Sequence, residues 1–175
     1  MSIAGNIVAS GKLIRGYAES LSQGIDAHQF ARKPTWGLGG QEIDTNHATF
    51  CYGHLAIYPA RILTLLGKDP APAAAPIAFE PLFKAGAPCL DDPHGTIYPA
   101  MSVVLDAFRR AYDVTLDEVA RASDAQLLKE TPNESHRKNF PTIGALTGFL
   151  LGAHVAMHMG QVSAWRRCMG LRGVM

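Results

Sequence analysis

Cysteine and charge are both scarce in this chain. Its 175 residues include three cysteines, Cys51, Cys89 and Cys168, an odd number with no C-x-x-C pair. This excludes a disulfide framework or a zinc ribbon. Charged residues make up only 18%, the formal net charge is +1, and the basic residues are scattered. The sequence therefore lacks the basic patch typical of proteins that bind nucleic acid or anionic membranes.

Long apolar runs are missing as well. No segment has the unbroken apolar length of a membrane span, and the first residues lack the basic and apolar regions of a signal peptide. We therefore expect a cytoplasmic protein with neither a membrane nor a nucleic-acid partner. Apolar residues nevertheless make up 47% of the sequence. This is enough for a single domain over residues 1–175 to build a sizeable core.

Apolar spacing predicts four long helices and few strands, which indicates an all-α fold. Asp44 or Thr45 is the expected N-cap of the second helix, and Pro99 the expected first residue of the third. Pro59 is expected to bend the second helix, which Gly67 should end. A short helix is expected near 123–129. The long helices are expected over about 2–28, 45–66, 99–119 and 142–169.

The connection between the second and third helices is unusually long. Residues 71–97 contain five of the eleven prolines and show no clean periodicity. Antiparallel neighbours in a bundle need only a few connecting residues. The segment is long enough to cross a helical bundle and let helices two and three run parallel. A decorated surface connection is the alternative.

Two histidines, His154 and His158, lie one turn apart in the most apolar predicted helix. This spacing places both imidazoles on one helix face, where they can converge on a metal ion. The motif is not H-E-x-x-H, because Val155 stands where the glutamate would be. His54 in the second helix is a third candidate, and His47, two turns earlier, is its rival. The alternative for each is a core histidine that hydrogen-bonds within the fold.

Two sequence stretches together carry a family resemblance. The combination of FCYGHL in the second helix with GAHVAMHMGQVSAWRRCMG in the fourth resembles the DinB-like superfamily, which includes bacillithiol transferases and mycothiol-dependent maleylpyruvate isomerases. The resemblance implies a four-helix bundle of up-down-down-up order with a long crossover loop. It also implies a divalent metal ion held by His54, His154 and His158. The GHL context favours His54 over His47.

Three neutral imidazoles without a carboxylate leave a metal ion its full charge and room for water, as in catalytic sites. Zinc, nickel and iron all accept imidazole. The leading hypothesis is a metal-dependent enzyme that acts on a small-molecule substrate, either as a thiol S-transferase using a low-molecular-weight thiol or as a hydrolase. The alternative is a non-enzymatic bundle that binds metal or a partner protein in a stress response.

Several residues have two interpretations on sequence grounds. Gln161 either supports His158 or links two helices, and Cys51 either approaches the ion or packs in the core. No carboxylate pair or Ser-His-Asp arrangement indicates a general base. A homodimer stays open, since no apolar stripe is clearly surplus to the core. Tyr58 and Trp165 either wall a pocket or fill the core, and four further residues are expected at the surface unless their loops fold inward: His94, His136, Tyr98 and Arg137.

Overall fold

The computed structural model describes residues 2–174 and is mostly helical, which confirms the all-α class. Two short strands, β1 (Thr35–Trp36) and β2 (Gln41–Glu42), form an antiparallel hairpin. A 3₁₀ turn spans Ala71–Ala73, and a π-helical segment spans Phe149–Ala153. The α-helices are α1 Ile3–Ser22, α2 Ala48–Ala56, α3 Pro59–Leu65, α4 Phe79–Phe83, α5 Met101–Ala120, α6 Asp124–Leu127, α7 Glu134–Arg137, α8 Ile143–Gly148 and α9 His154–Cys168.

The longer helices and several short ones contribute side chains to one main apolar core. Helices α1 and α2 each contact both α5 and α9. Helix α9 buries Val155, Met159 and Val162, which recur at intervals of three and four residues, as an inward helix face requires. Tyr52 and Trp165 are fully buried at the centre of the same core. Trp165 therefore fills the core rather than walling a pocket, and its Nε1–H donates to the Arg32 carbonyl at 2.8 Å.

The ends of the long helices differ from the predicted ends where backbone conformation intervenes. Helix α1 ends at Ser22 rather than His28, because Gly24 turns the chain with a φ of +69°. Helix α5 begins at Met101 with Ala100 as its N-cap, so Pro99 precedes the helix instead of starting it. The short helix α6 lies within the predicted range, and the side chain of its N-cap, Ser123, accepts from Gln126 N–H.

Pro59 divides the second predicted helix into α2 and α3 instead of only bending it. Proline has no N–H for the Leu55 carbonyl, which accepts from Tyr58 N–H at 3.4 Å. Gly67 ends α3 with a φ of +67°, as predicted. The predicted caps Asp44 and Thr45 are both wrong, because the N-cap of α2 is a histidine further along the chain.

His47 is that N-cap, and it is fully buried. Its Nδ1 accepts from Phe50 N–H at 3.1 Å, and its Nε2–H donates to the Leu90 carbonyl at 3.0 Å. Both ring nitrogens are therefore engaged by the backbone while the ring is neutral. Burial lowers the pKa of His47 to about 4, which keeps the ring neutral near pH 7.

The connection over residues 71–97 is ordered and packed. Helix α4 lies within it and contacts α2, where the buried ring of Phe83 meets that of Phe50 edge-on. Further on, the buried carboxylate of Asp92 accepts hydrogen bonds from the backbone N–H groups of 96, 97 and 98. These contacts anchor the connection to the core at a few points, while most of its residues remain exposed at the surface.

The fourth predicted helix changes from α-helical to π-helical geometry before His154. Residues 143–168 form one helical run, but its middle section, Phe149–Ala153, is π-helical. This 26-residue run has a window of mean hydropathy 1.3, so it is long and apolar enough to cross a membrane, contrary to the sequence expectation. Half of that window is buried inside the protein, and core helices of globular proteins pass the same test.

A buried cation joins the two ends of the chain. Arg166 on α9 is 4% exposed, and its guanidinium donates to the carbonyls of Leu21 and Gln23, both at 2.8 Å. These acceptors lie at the carboxyl end of α1, where the helix dipole favours a cation, and the last turn of α1 contains no basic residue. Arg166 also bonds the carbonyl of Arg172, which ties the last described residues to this point.

The buried cap predicts a pH-dependent stability. The unfolded chain binds more protons than the native one between the native pKa of His47, about 4, and the ordinary value of 6.5, so stability falls as pH drops through this window. Between pH 7.5 and 5, His47 is expected to account for a loss of about 2 kcal/mol in the free energy of unfolding. We expect His47→Asn, which retains a capping group but does not titrate, to lose correspondingly less in urea unfolding.

The exposed His94 provides the matched control for this measurement. His94→Asn should show the same pH dependence as the parent protein. An identical loss of stability in His47→Asn and the parent would contradict the role assigned to His47.

Candidate metal centre

Three histidines meet where α2 faces the amino-terminal half of α9. The Nε2 atom of His154 lies 3.3 Å from Nε2 of His54 and 3.2 Å from Nε2 of His158. One ligand atom from each ring lies within 4.8 Å of the other two, and the group could hold a metal ion. His54 and His154 are buried, whereas His158 is half-buried. The cluster therefore has one side closer to solvent.

The Phe83 carbonyl orients His54. It lies 2.6 Å from Nδ1 of His54, and because a carbonyl can only accept, this nitrogen carries the proton. Nε2 consequently presents a lone pair to the other two histidines. The carbonyl belongs to the last residue of α4, so the long connection sets the direction of a ring on α2.

Gln161 orients His158 in the same way. Its Oε1 atom lies 3.0 Å from Nδ1 of His158 and also accepts from Asn46 Nδ2 at 3.2 Å and Cys51 Sγ at 3.5 Å. Three donors around one oxygen fix the amide's orientation, and His158 donates from Nδ1. The predicted support of His158 by Gln161 is confirmed as a contact, and the same amide also links α9 to α2.

The electrostatics keep all three rings neutral. Burial lowers the pKa of His154 to about 4, and repulsion from the other two imidazoles acts in the same direction. Burial also lowers the pKa of His54 and of His158, although the hydrogen bonds from Nδ1 oppose this effect. Near pH 7 the Nε2 lone pairs of His54 and His158 therefore point toward the ring of His154 without a charge to repel a cation.

The arrangement fits a divalent cation with imidazole ligands. Two nitrogens bound to zinc at about 2.0–2.1 Å with tetrahedral angles lie about 3.3–3.4 Å apart, close to the spacings of His154 from its two neighbours. With Nε2 as the ligand, His154 carries its proton on Nδ1, and this buried atom has no hydrogen-bond partner within residues 2–174. Metal-binding imidazoles usually have such a partner, so the ring of His154 lacks the support that Nδ1 acceptors give to His54 and His158.

The two helix irregularities place aromatic rings beside His154. Phe149 begins the π-helical segment, and its ring stacks on His154 with centroids 5.5 Å apart. Tyr58 lies at the break before Pro59 and meets the same imidazole edge-on at 4.8 Å. Tyr112 donates to the carbonyl of Leu150 within the π segment, at 3.4 Å. Segments of π-helix recur at functional sites because they shift the register of the following side chains.

A cleft of about 590 Å³ opens next to His154. Tyr58 and Phe149 line it together with Phe140, whose ring lies 4.6 Å from that of Phe149. Arg61 and His136 also contribute, and His136, on the short helix α7, is exposed as predicted although it lines the cleft. The volume is typical of small-molecule sites, and the mostly apolar lining with a few polar groups is typical as well.

The remaining predicted residues lie away from the cluster. His47 is excluded as the third ligand, since both of its nitrogens bind the backbone. Cys51 is fully buried, and burial raises the pKa of its thiol, so it stays protonated and donates to Gln161. Tyr98 is buried and contacts the backbone of residues 88 and 90, while His94 is exposed. Arg137 binds the carbonyls of residues 131 and 132, which holds the loop ahead of α7.

Sequence reasoning missed the groups that orient the rings. The Phe83 carbonyl could not be predicted from the sequence, because every residue has a backbone carbonyl. Its position depends on the path of the connection over residues 71–97. Gly53 did carry a signal. A Cβ atom at this position would lie 2.6 Å from three atoms of the Phe83 ring, so α4 approaches α2 where only glycine fits.

No family model, curated protein or solved structure matches this chain. The resemblance to the DinB-like superfamily therefore stays a prediction from the FCYGHL and GAHVAMHMGQ stretches.

The contact at Gly53 predicts a stability change. Gly53→Ala should lower the free energy of unfolding by about 1–3 kcal/mol, because the fully buried ring of Phe83 has no room to move away. Gly160→Ala on α9 is the control, since its Cβ would meet no atom within 4 Å. Urea unfolding should show that Gly160→Ala is more stable than the parent, by up to about 1 kcal/mol. Similar stabilisation by both substitutions would contradict the close approach of α4.

The hydrogen bond from His158 predicts a change in metal affinity. Gln161→Leu removes the acceptor for Nδ1–H, and losing such a partner typically weakens metal binding about 10–100-fold. Competition with a chromophoric zinc chelator measures this change. Gln41→Leu, on the exposed strand β2, should bind zinc like the parent. Equal affinities for the two variants would show that Gln161 does not support the centre.

Proposed function

We propose that this chain is a metal-dependent enzyme of the DinB-like superfamily that acts on a small molecule, as a thiol S-transferase or a hydrolase. The observation that carries the proposal is the position of His154, whose Nε2 atom faces the other two histidines while its ring lines an apolar cleft. A metal ion held there has a substrate-sized space beside it. We further propose a cytoplasmic location and no nucleic-acid or membrane partner.

The proposed architecture is a four-helix bundle of up-down-down-up order. The contacts of α1 and α2 with both α5 and α9 support it, with the α2–α3 segment as one interrupted bundle helix. The run α8–α9, including the π segment, takes the place of another. The packed connection over residues 71–97 then serves as the crossover.

The residues of the chain have distinct tasks in the proposed site. His54, His154 and His158 bind a divalent ion, for which zinc, nickel and iron are all chemically suitable. The Phe83 carbonyl and Gln161 hold the Nδ1 protons, which keeps the Nε2 lone pairs on His54 and His158 directed at the centre. The rings of Tyr58 and Phe149 pack against His154 and form the wall of the cleft beside it. The bound ion supplies Lewis acidity, which lowers the pKa of a thiol or water next to it.

The competing function is a non-enzymatic bundle that binds metal or a partner protein. The cleft favours the enzyme, because a purely structural metal site is closed by protein ligands and needs no adjoining cavity. A homodimer is compatible with either function.

Elemental analysis of the purified chain tests the metal centre. We expect close to one equivalent of a divalent metal in the parent and a large loss of it in His54→Ala and His154→Ala. His47→Asn is the control, since His47 is buried but lies outside the cluster, and it should retain the metal. Circular dichroism establishes that each variant is folded. Equal metal content in the folded His54→Ala and the parent would contradict the proposal.

Turnover by the metal-loaded protein tests the enzyme. Transfer of glutathione, cysteine, bacillithiol or mycothiol to 1-chloro-2,4-dinitrobenzene and hydrolysis of 4-nitrophenyl acetate cover the two reaction types. Activity that disappears on removal of the metal and in His154→Ala supports the enzyme. A fully metal-loaded protein without either activity would favour the binding bundle.

A further inference from the structure

We propose that the cleft beside His154 binds an aromatic carboxylate, a flat apolar molecule that carries one anionic group. This inference rests on the proposed function for the role of the cleft as the substrate site and adds the chemical class of the occupant. The volume of about 590 Å³ accommodates a molecule of one or two fused rings.

The shape of the lining favours a flat ring. Phe140 and Phe149 are inclined by 31°, and Phe149 and His154 by 27°, so three rings follow one another along one side of the cleft, each tilted moderately against the next. Leu146 and Leu150 add apolar surface next to them. A planar aromatic occupant can stack on such a wall, which gives it a preferred orientation that a flexible aliphatic chain does not have.

The charge of the lining favours an anion. Arg61 lines the cleft, whereas none of the lining residues within the described chain is an aspartate or glutamate. Its guanidinium lies 4.9 Å from the centroid of the Tyr58 ring, which holds it at the cleft. Within residues 2–174 its guanidinium donates from one nitrogen to Glu80, at 2.9 Å, and its other N–H groups remain for a ligand. A planar guanidinium suits a carboxylate because two parallel N–H donors match its two oxygens.

Calorimetric titration of the metal-free protein with 2-naphthoate tests the proposal. Prior treatment with EDTA keeps a bound ion from holding the carboxylate. The neutral 2-naphthamide has nearly the same shape, and we expect it to bind at least about tenfold more weakly. Arg61→Gln should weaken 2-naphthoate about tenfold and leave 2-naphthamide unchanged. Glu80→Gln removes the competing carboxylate and should tighten 2-naphthoate about twofold to fivefold.

Arg121→Gln is the matched control. Arg121 pairs with Glu118 at 2.6 Å, as Arg61 pairs with Glu80, but it does not line the cleft. The Arg121→Gln variant should bind 2-naphthoate with the same affinity as the parent. Equal affinity of the parent for 2-naphthoate and 2-naphthamide, unchanged binding by Arg61→Gln, or no binding by the folded parent would each overturn the inference.

Separate measurements of metal content distinguish this inference from the proposed function. A protein that binds 2-naphthoate through Arg61 but takes up no metal contradicts the metal-dependent enzyme and leaves the carboxylate site in place. A protein that loads metal but does not bind 2-naphthoate contradicts the inference about the cleft alone.

Discussion

The hydrogen bond from His54 to the Phe83 carbonyl links the connection over residues 71–97 to the candidate metal centre. Without it, His54 could place its proton on either nitrogen, and its lone pair would have no fixed direction. The bond depends on α4 lying tight against α2, which in turn requires a glycine at position 53. One backbone acceptor thus couples the packing of a proline-rich connection to the chemistry of a ring on a different helix.

Two departures from regular α-helix act together at the cleft. The break at Pro59 places Tyr58 against His154, and the π segment places Phe149 against another side of the same imidazole. A continuous second helix and a regular fourth helix would present other side chains at this level, since each irregularity changes the register of the residues after it. Two helices thus depart from regular geometry beside the same histidine, next to the cleft.

Helical spacing was sufficient to predict the parts of the site that depend on local geometry. The pairing of His154 with His158 follows from one turn of helix, and the support by Gln161 follows from three further residues. In the sequence, the GHL motif favours His54 over His47, since both histidines lie on a similar helix face. In the structure they differ because both ring nitrogens of His47 bind the backbone, where His47 caps α2. The π segment and the position of the Phe83 acceptor depend on tertiary packing, which cannot be predicted from the residue type at each position.

The bonds from Arg166 to the carbonyls of Leu21 and Gln23 join residues 145 and 143 positions apart, and His54 meets His154 across 100 positions. Contacts of such high sequence separation form slowly, because long loops must close before they contribute. Helix α9, which carries two of the histidines, is therefore anchored only when Arg166 has reached the end of α1. We therefore expect the centre to form late in folding, so that metal uptake during refolding reports when α1 and α9 have come together.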